Sequence, residues 1–367
     1  MEARATLVGP VSPRGGSEGV ALSFWATPVD EEVAAPFAGA AEGGAGFLGV
    51  GEEEGNGNVD NHINYIPGVH SITTTDLMTY LQDPEAIPVL ILMAEKGFEQ
   101  VRKADFVLCN SMDELELEAL SALNQKHPTY AIGPINFYTD FTKTSIAKSL
   151  WSESDCTHWL NSKSSGSVLY VSFGSVARCN KEEIGELAHG ILLSEVYFVW
   201  VLHYDFIGWK GSDAFPDGFE DIVKDKGLIV PWCNQNMVLS SPATGGFLTH
   251  CGWNSVLESI WYSVPMICYP FLVDQPTNRK LVVDDWKIGV NLIDEEQVGR
   301  KEVANKINML MRGENSIRMK QAIEKVSKKL HDSLDVGAHQ TEILIDFSRI
   351  WRTNCMRDLL ISPELTL

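Results

Sequence analysis

Downstream of Ser167 the chain alternates short apolar runs with segments of helical period, and this alternation is the strongest constraint on its fold. Ser167–Phe173 (SVLYVSF) precedes a helical pattern over Lys181–Ser194. Tyr197–Leu202 and Gly227–Pro231 (GLIVP) are further apolar runs. Gly246–Thr249 (GFLT) leads to a helix from about Asn254, and Met266–Tyr269 leads to a helix around Thr277–Trp286. Helices then dominate to about Arg352. A strand that is apolar at successive positions must be covered on both faces, and helices that alternate with such strands supply the cover. The pattern predicts a parallel, doubly wound α/β sheet, which takes ligands in the crevice at the carboxyl ends of its strands.

The upstream half is less regular. Ile87–Ala104 has helical spacing with Pro88 in its first turn, where a missing N–H costs nothing. Phe106–Asn110 (FVLCN) and Pro128–Gly133 (PTYAIG) read as strands. Between them Asp113–Asn124 reads as a helix with acidic residues at its positive end. A Thr/Ser/Lys-rich stretch, Tyr138–Ser165, holds only a small amphipathic segment at Thr157–Leu160 and reads as a linker. Residues 1–60 are dense in Gly and Ala and carry ten acidic and two basic residues. Apart from Val20–Thr27 they show no sustained period and are expected to be loop or disorder. The expected division is an atypical segment at 1–60, a first unit at 61–140, a linker at 141–165, a second unit at 166–340, and a C-terminal helix and tail at 341–367. A chain of 367 residues is long enough for two such units.

The formal net charge of −20 and a pI near 4.8 exclude a general nucleic-acid binder or a polybasic membrane-surface protein, since both need positive patches. A local phosphate pocket remains open, because backbone amides hold phosphate without net charge. The seven cysteines are an odd number and show no CxxC spacing, which argues for reduced thiols over a disulfide framework or a zinc site. The N-terminus has no apolar signal region, and the longest apolar run, near Ile87–Ala94, is too short to span a bilayer. A cytoplasmic monomer that contacts neither membrane nor nucleic acid is expected.

One segment carries chemistry. Gly246–Glu258 reads GFLTHCGWNSVLE, a strand ending at Thr249, a turn at His250-Cys251-Gly252, and then Ser255 with Glu258 three residues on. Ser-x-x-Glu before an apolar run is the pattern of a capping box. A helix N-terminus would then face a strand's carboxyl end with a histidine beside it, which is an anion site. An ordinary strand-turn-helix with a satisfied histidine fits the same letters equally well.

The wider context separates these readings. Trp232 through Gln275 reads WCNQNMVLSSPATGGFLTHCGWNSVLESIWYSVPMICYPFLVDQ. This resembles the C-terminal signature box of the plant-type UDP-sugar-dependent glycosyltransferases. Ser167–Ser175, Asp217–Trp232 and Trp286–Gly289 are similar to the same family, and the likeness runs from about Asn61 to Trp351. The resemblance implies a GT-B-like α/β fold, with two Rossmann-like domains facing a cleft. The second would hold the UDP-sugar, and residues 61–140 would be what remains of an incomplete acceptor domain. It implies that Trp232 stacks on uracil, that Gln235 and the backbone at Cys233 meet uracil and ribose, and that Glu258 binds the ribose hydroxyls. His250, Gly252, Asn254, Ser255 and Ser175 would surround the diphosphate. Trp253, Asp274 and Gln275 would surround the sugar, and Gln in the last position goes with glucose in that family. A UDP-sugar donor and a small-molecule acceptor are implied, with no cofactor. Cys233, Cys251 and Cys268 lie on separate elements without metal-ligand spacing.

The implied chemistry is inverting transfer through an oxocarbenium-like transition state. In the family the base is a histidine near the start of the acceptor domain, oriented by an aspartate. Neither residue can be assigned here. Val20–Ala26 resembles a strand downstream of both, no histidine precedes it, and the first histidine of the chain is His62. The expectation is a glycosyltransferase by family. The alternative is a homologue that holds UDP or a UDP-sugar without turnover. Smaller departures are Ser241 for a usual His, Ser263 for a usual Gly, and His203 where an Arg is common.

Overall fold

The computed structural model describes residues 6–7, 62–64, 66, 68–82, 88–104, 106–137, 152–174, 179–202, 215–216, 218–294 and 298–334. The expected strand at Val20–Thr27, the first half of the expected linker and the expected segment 341–367 lie outside these residues.

In the first half, strands β1 (Thr6–Leu7), β2 (His62–Ile63) and β3 (Ile72–Thr73) are followed by a single 3-10 turn at Thr74–Asp76. Helices α1 (Thr79–Gln82) and α2 (Pro88–Val101) lead to strand β4 (Val107–Cys109), helix α3 (Asp113–Asn124) and strand β5 (Thr129–Ala131). Strand β4 pairs parallel to β5 and antiparallel to β1, making a three-stranded sheet, and β2–β3 is a separate antiparallel pair.

The second half opens with helix α4 (Thr157–Asn161) and then alternates as the sequence predicts. Strand β6 (Val168–Ser172), helix α5 (Lys181–Ser194) and strand β7 (Tyr197–Val201) precede helix α6 (Phe219–Val223) and strand β8 (Gly227–Val230). Helix α7 (Gln235–Leu239), strand β9 (Thr244–Thr249), helix α8 (Trp253–Trp261) and strand β10 (Met266–Cys268) follow. Helix α9 (Gln275–Lys280), a π turn at Leu281–Asp285, strand β11 (Gly289–Asn291) and helices α10 (Arg300–Met311) and α11 (Gly313–Ser333) complete the unit. Strand β11 has no counterpart among the sequence-based expectations, because Gly289-Val290-Asn291 holds a single apolar side chain and no apolar run.

The six-stranded sheet has the order β11-β10-β9-β6-β7-β8, and every pairing in it is parallel. Counted from β6, this is the 3-2-1-4-5-6 order of the dinucleotide-binding fold, with its reversal between β6 and β9. The all-apolar strands are explained by what covers them. On β6, Leu169 and Val171 face one core with Leu187 and Ile191 of α5 and Val303 and Ile307 of α10. Val168 and Tyr170 face the other, with Val256 and Ile260 of α8 and Ile323 and Leu330 of α11. Side chains alternate across a strand, so two covered faces require apolar residues at every position.

Glycine permits the closest approach between helices: a Cβ on Gly190 of α5 would meet Val303 Cβ of α10 at 2.4 Å. Residues 152–165, expected in the linker, belong to the second unit instead. Cys156 and Leu160 are buried in the core that contains Tyr170 and Val256. Among the described residues no helix is long and apolar enough to cross a membrane.

Candidate functional site

Strands β6 and β9 neighbour each other in the sheet, but their following connections run to opposite sides, so a crevice opens at their carboxyl ends. Beyond β6 the chain turns through Gly174 at φ 70. Ser175, predicted to meet a diphosphate, lies outside the described residues. Beyond β9 the chain passes buried His250 and turns at Cys251, whose φ is 64, before Gly252 takes the extended N-cap position of α8. The turn is held from both sides. The Cys251 N–H donates to Thr249 Oγ1 at 3.2 Å, and Asn278 Nδ2 donates to the Cys251 carbonyl at 2.9 Å. The N-terminus of α8 is thereby fixed over the sheet edge, with the positive end of its dipole toward the crevice.

Ser255 and Glu258 do not form the predicted capping box. The N-cap is Gly252, without a side-chain cap bond, so the helix begins earlier than the Ser-x-x-Glu pattern indicates and both residues lie inside it. Their partner is Gln235, the first residue of α7. Its Nε2 donates to Ser255 Oγ at 2.9 Å and to Glu258 Oε2 at 2.7 Å. The Gln235 side-chain oxygen, Oε1, in turn accepts from the Tyr170 hydroxyl at 3.3 Å. Burial, with Cys233 beside it, pushes the Tyr170 hydroxyl well above its ordinary pKa, so it remains a proton donor. Sequence reasoning missed Tyr170, because a tyrosine inside a buried strand reads as core.

Trp232 and Cys233 lead into α7, whose N-cap Asn234 accepts from the Met237 N–H at 3.1 Å. Trp232 is half-buried against the α8 side of the core, and its carbonyl accepts from the Ser154 N–H at 2.9 Å. Cys233 is buried, and the hydrogen bond its thiol donates to Cys156, together with burial, holds that thiol well above the usual range. It is a neutral packing group.

At the far side of α8, Asp274 and Gln275 begin α9. The buried Asp274 carboxylate accepts from Asn278 Nδ2 at 3.0 Å. Gln275 Oε1 accepts from the Phe271 and Leu272 N–H groups at 2.8 and 2.9 Å. Trp253 is placed differently from its neighbours. Its ring is fully buried, 6.4 Å from Trp286, and its Nε1 donates to the Asn110 carbonyl at 2.6 Å. Asn110 follows β4 in the first unit. Its Nδ2 donates to Asn254 Oδ1 at 3.1 Å and its Oδ1 accepts from the Ile135 N–H at 3.1 Å. The carboxyl end of β4 therefore docks on the start of α8. Asn110 was not foreseen as a site neighbour, since its partners on α8, Trp253 and Asn254, lie more than a hundred residues away.

The structure brings Gln235, Ser255 and Glu258 into one hydrogen-bonded group and sets His250, Gly252, Trp253 and Asn254 around one helix start. Asp274 and Gln275 are held on an adjoining turn that the Asn278 side chain ties to Cys251. The residues expected from the resemblance to meet a base, a ribose, a diphosphate and a sugar thus follow one another along a single edge.

A family model described as UDP-glucoronosyl and UDP-glucosyl transferase matches residues 46–336. The chain is 49% identical over 293 residues to UDP-glycosyltransferase 86A1 of Arabidopsis thaliana, covering 78% of this chain and 59% of that one. It is 36% identical over 272 residues to 7-deoxyloganetin glucosyltransferase of Catharanthus roseus, covering 72% and 55%. Among solved structures it resembles Phytolacca americana UGT2 complexed with UDP-2fluoro-glucose and pterostilbene. The TM-score is 0.69 at 30% identity, over 80% of this chain and 64% of that one. It also resembles Os79 from O. sativa in complex with UDP, with a TM-score of 0.70 at 28% identity over 78% and 64%. The chain spans less than two thirds of the length of each of these proteins.

Proposed function

Since the chain belongs to the UDP-glucoronosyl and UDP-glucosyl transferase family, we propose that it binds a UDP-sugar along the β6–β9 crevice and serves glycosyl transfer to a small hydroxylated acceptor. The observation that carries this reading is the bridge from Gln235 to Ser255 and Glu258. It joins the Trp232 loop to α8, so a surface for a base and a carboxylate for ribose hydroxyls stand beside a helix N-terminus. In this reading Trp232 stacks on uracil, Glu258 accepts from ribose hydroxyls, and His250 with the first turn of α8 faces the diphosphate. Gly252 gives that turn its close approach. Asp274 and Gln275 take the hexose, and Gln275 favours glucose.

In the transfer, the acceptor oxygen bonds to the anomeric carbon as the bond from that carbon to the UDP oxygen breaks. The acceptor proton passes to a base, and UDP leaves with the electron pair. Charge grows on UDP, where His250 and the helix dipole lower its energy. Stereochemistry inverts because attack comes from the face opposite UDP. As the acceptor we propose a small phenolic such as a flavonoid.

A second reading, donor binding without turnover, is supported by the placement of two described first-unit histidines, His62 and His70. His70 sits at the Lys280 end of α9, opposite Gln275, with its carbonyl accepting from Lys280 Nζ at 3.1 Å and its ring paired with Glu118. His62 Nδ1 pairs with the Ser71 hydroxyl at 2.9 Å. General-base catalysis supplies about 10²–10⁴-fold, so its loss would leave binding intact and turnover very slow. Titration calorimetry of the full chain with UDP, UDP-glucose and UDP-galactose tests the site, with UDP-glucose expected to bind most tightly. No heat at millimolar UDP would overturn donor binding. Product assays over a phenolic panel at saturating UDP-glucose then separate the readings: turnover near one per second supports transfer, and none with donor bound supports the second.

A further inference from the structure

The turn that presents Asp274 and Gln275 has an unfavourable backbone. Val273, immediately before them, has φ 58. A β-branched residue is poorly suited to the left-handed region, and such a conformation persists only where the surroundings over-determine it. The surroundings here come from the other unit. Thr79 of α1 accepts from the Val273 N–H through its Oγ1 at 2.9 Å and donates its own N–H to the Val273 carbonyl at 3.0 Å. Both backbone groups of the strained residue are thus held by one residue 194 positions away in sequence.

The holding segment is itself anchored next to α9. Thr277 Oγ1 donates to the Asp76 carbonyl at 2.7 Å, and the Arg279 guanidinium pairs with the buried Asp76 carboxylate. The other oxygen of that carboxylate accepts from the Thr73 N–H at 2.9 Å. Residues 73–79 therefore lie along α9 and end in a clamp on the turn before it.

We propose that Thr79 is a positioning residue for the sugar end of the donor: its two bonds to Val273 hold the strained turn that aims Asp274 and Gln275. The proposal rests on the reading that these two residues meet the sugar. The uracil, ribose and diphosphate groups lie around the starts of α7 and α8, and the start of α8 is held by Asn278 and Thr249, not by Val273. Thr79 therefore acts on the sugar contribution to affinity and leaves the nucleotide contribution unchanged.

The test is calorimetric titration of the full chain with UDP and with UDP-glucose. In Thr79→Val the turn loses a hydrogen bond. UDP-glucose should bind about threefold to tenfold more weakly, the effect of one net hydrogen bond, while UDP stays within about twofold. Thr79→Ser, which keeps the hydroxyl, should restore UDP-glucose binding. In a Val273→Gly background the turn is no longer strained, and the Thr79→Val effect should shrink to within about twofold. Amide exchange at residues 271–275 provides a readout independent of ligand and should be faster in Thr79→Val alone. Equal weakening of UDP and UDP-glucose, or no weakening of UDP-glucose, overturns the proposal while leaving the site in place. Failure of the unaltered chain to bind UDP overturns the site and the proposal together.

Discussion

The two halves of the molecule bury apolar surface in different ways. In the second unit all five residues of β6 and all six of β9 are buried, and helices cover both faces of the sheet. In the first, the strands are two or three residues long, and Phe98, Leu117, Leu123 and Tyr130 are exposed large apolar side chains. Part of what the first half buries, it buries against the second. Met112 is fully buried in the core formed by α8 and α11, and Phe137 stacks on Trp261 at 4.3 Å. The second unit therefore carries two cores built almost wholly from its own residues, and the first half packs Met112 and Phe137 against one of them.

The largest expected effect tests this contrast directly. Trp200 is fully buried in the second unit, its ring 5.0 Å from Phe215. Trp200→Ala should destabilise the chain by about 3–5 kcal/mol, whereas Phe98→Ala should stay within about 0.5 kcal/mol. Denaturant unfolding measures both, and similar costs would break the comparison.

Next in size is a binding effect confined to the second unit. Trp232→Ala should weaken UDP by about 1–3 kcal/mol, the range for a base that loses its aromatic platform, with little change in the denaturation midpoint. A loss of fold without a selective loss of UDP affinity would place Trp232 with the core and not with the site.

A smaller effect comes from the residue after the C-cap of α8. Ser263 has φ 56, which accounts for the glycine usual at this position in the family. Ser263→Gly removes the left-handed penalty and restores some unfolded-state freedom, for a net gain of about 0.5–1 kcal/mol. A raised Tm would confirm it, and an unchanged or lowered Tm would show that the turn is relaxed by other means.

The smallest effect lies on the surface of the second unit. The hydrogen bond from Arg300 holds the Glu186 carboxyl at a pKa of about 2. A pKa lowered on folding contributes stability above the unfolded value near 4.3, and that stability is lost as pH falls toward about 2. Glu186→Gln should cost about 0.2–1 kcal/mol at neutral pH, and the difference from the unaltered chain should narrow below pH 4. A difference independent of pH would assign the cost to packing.

Much of the secondary structure was legible from its letters. Helices at Lys181–Ser194 and Asp113–Asn124 have the predicted bounds, because their apolar period and acidic first turns are local properties. Strands β6 to β10 of the parallel sheet were legible to within a residue or two, since burial on both faces leaves a run of apolar residues that no exposed segment shares. The capping box at Ser255 was misread for a local reason as well. The tight turn at Cys251 starts the helix at Trp253, and a three-residue spacing cannot register a turn that precedes it.

By itself the sequence determined the alternation of strand and helix, the segment from Trp232 to Gln275 and the family to which the chain belongs. Each of these is written in neighbouring residues. Only the tertiary structure decided that Gln235 bridges Ser255 and Glu258, that Tyr170 orients Gln235, and that Asn110 and Thr79 reach across to α8 and to Val273. A single hydrogen bond between residues nearly two hundred positions apart leaves no period in either segment. It exists only once the two elements have been brought together by the burial of apolar surface elsewhere.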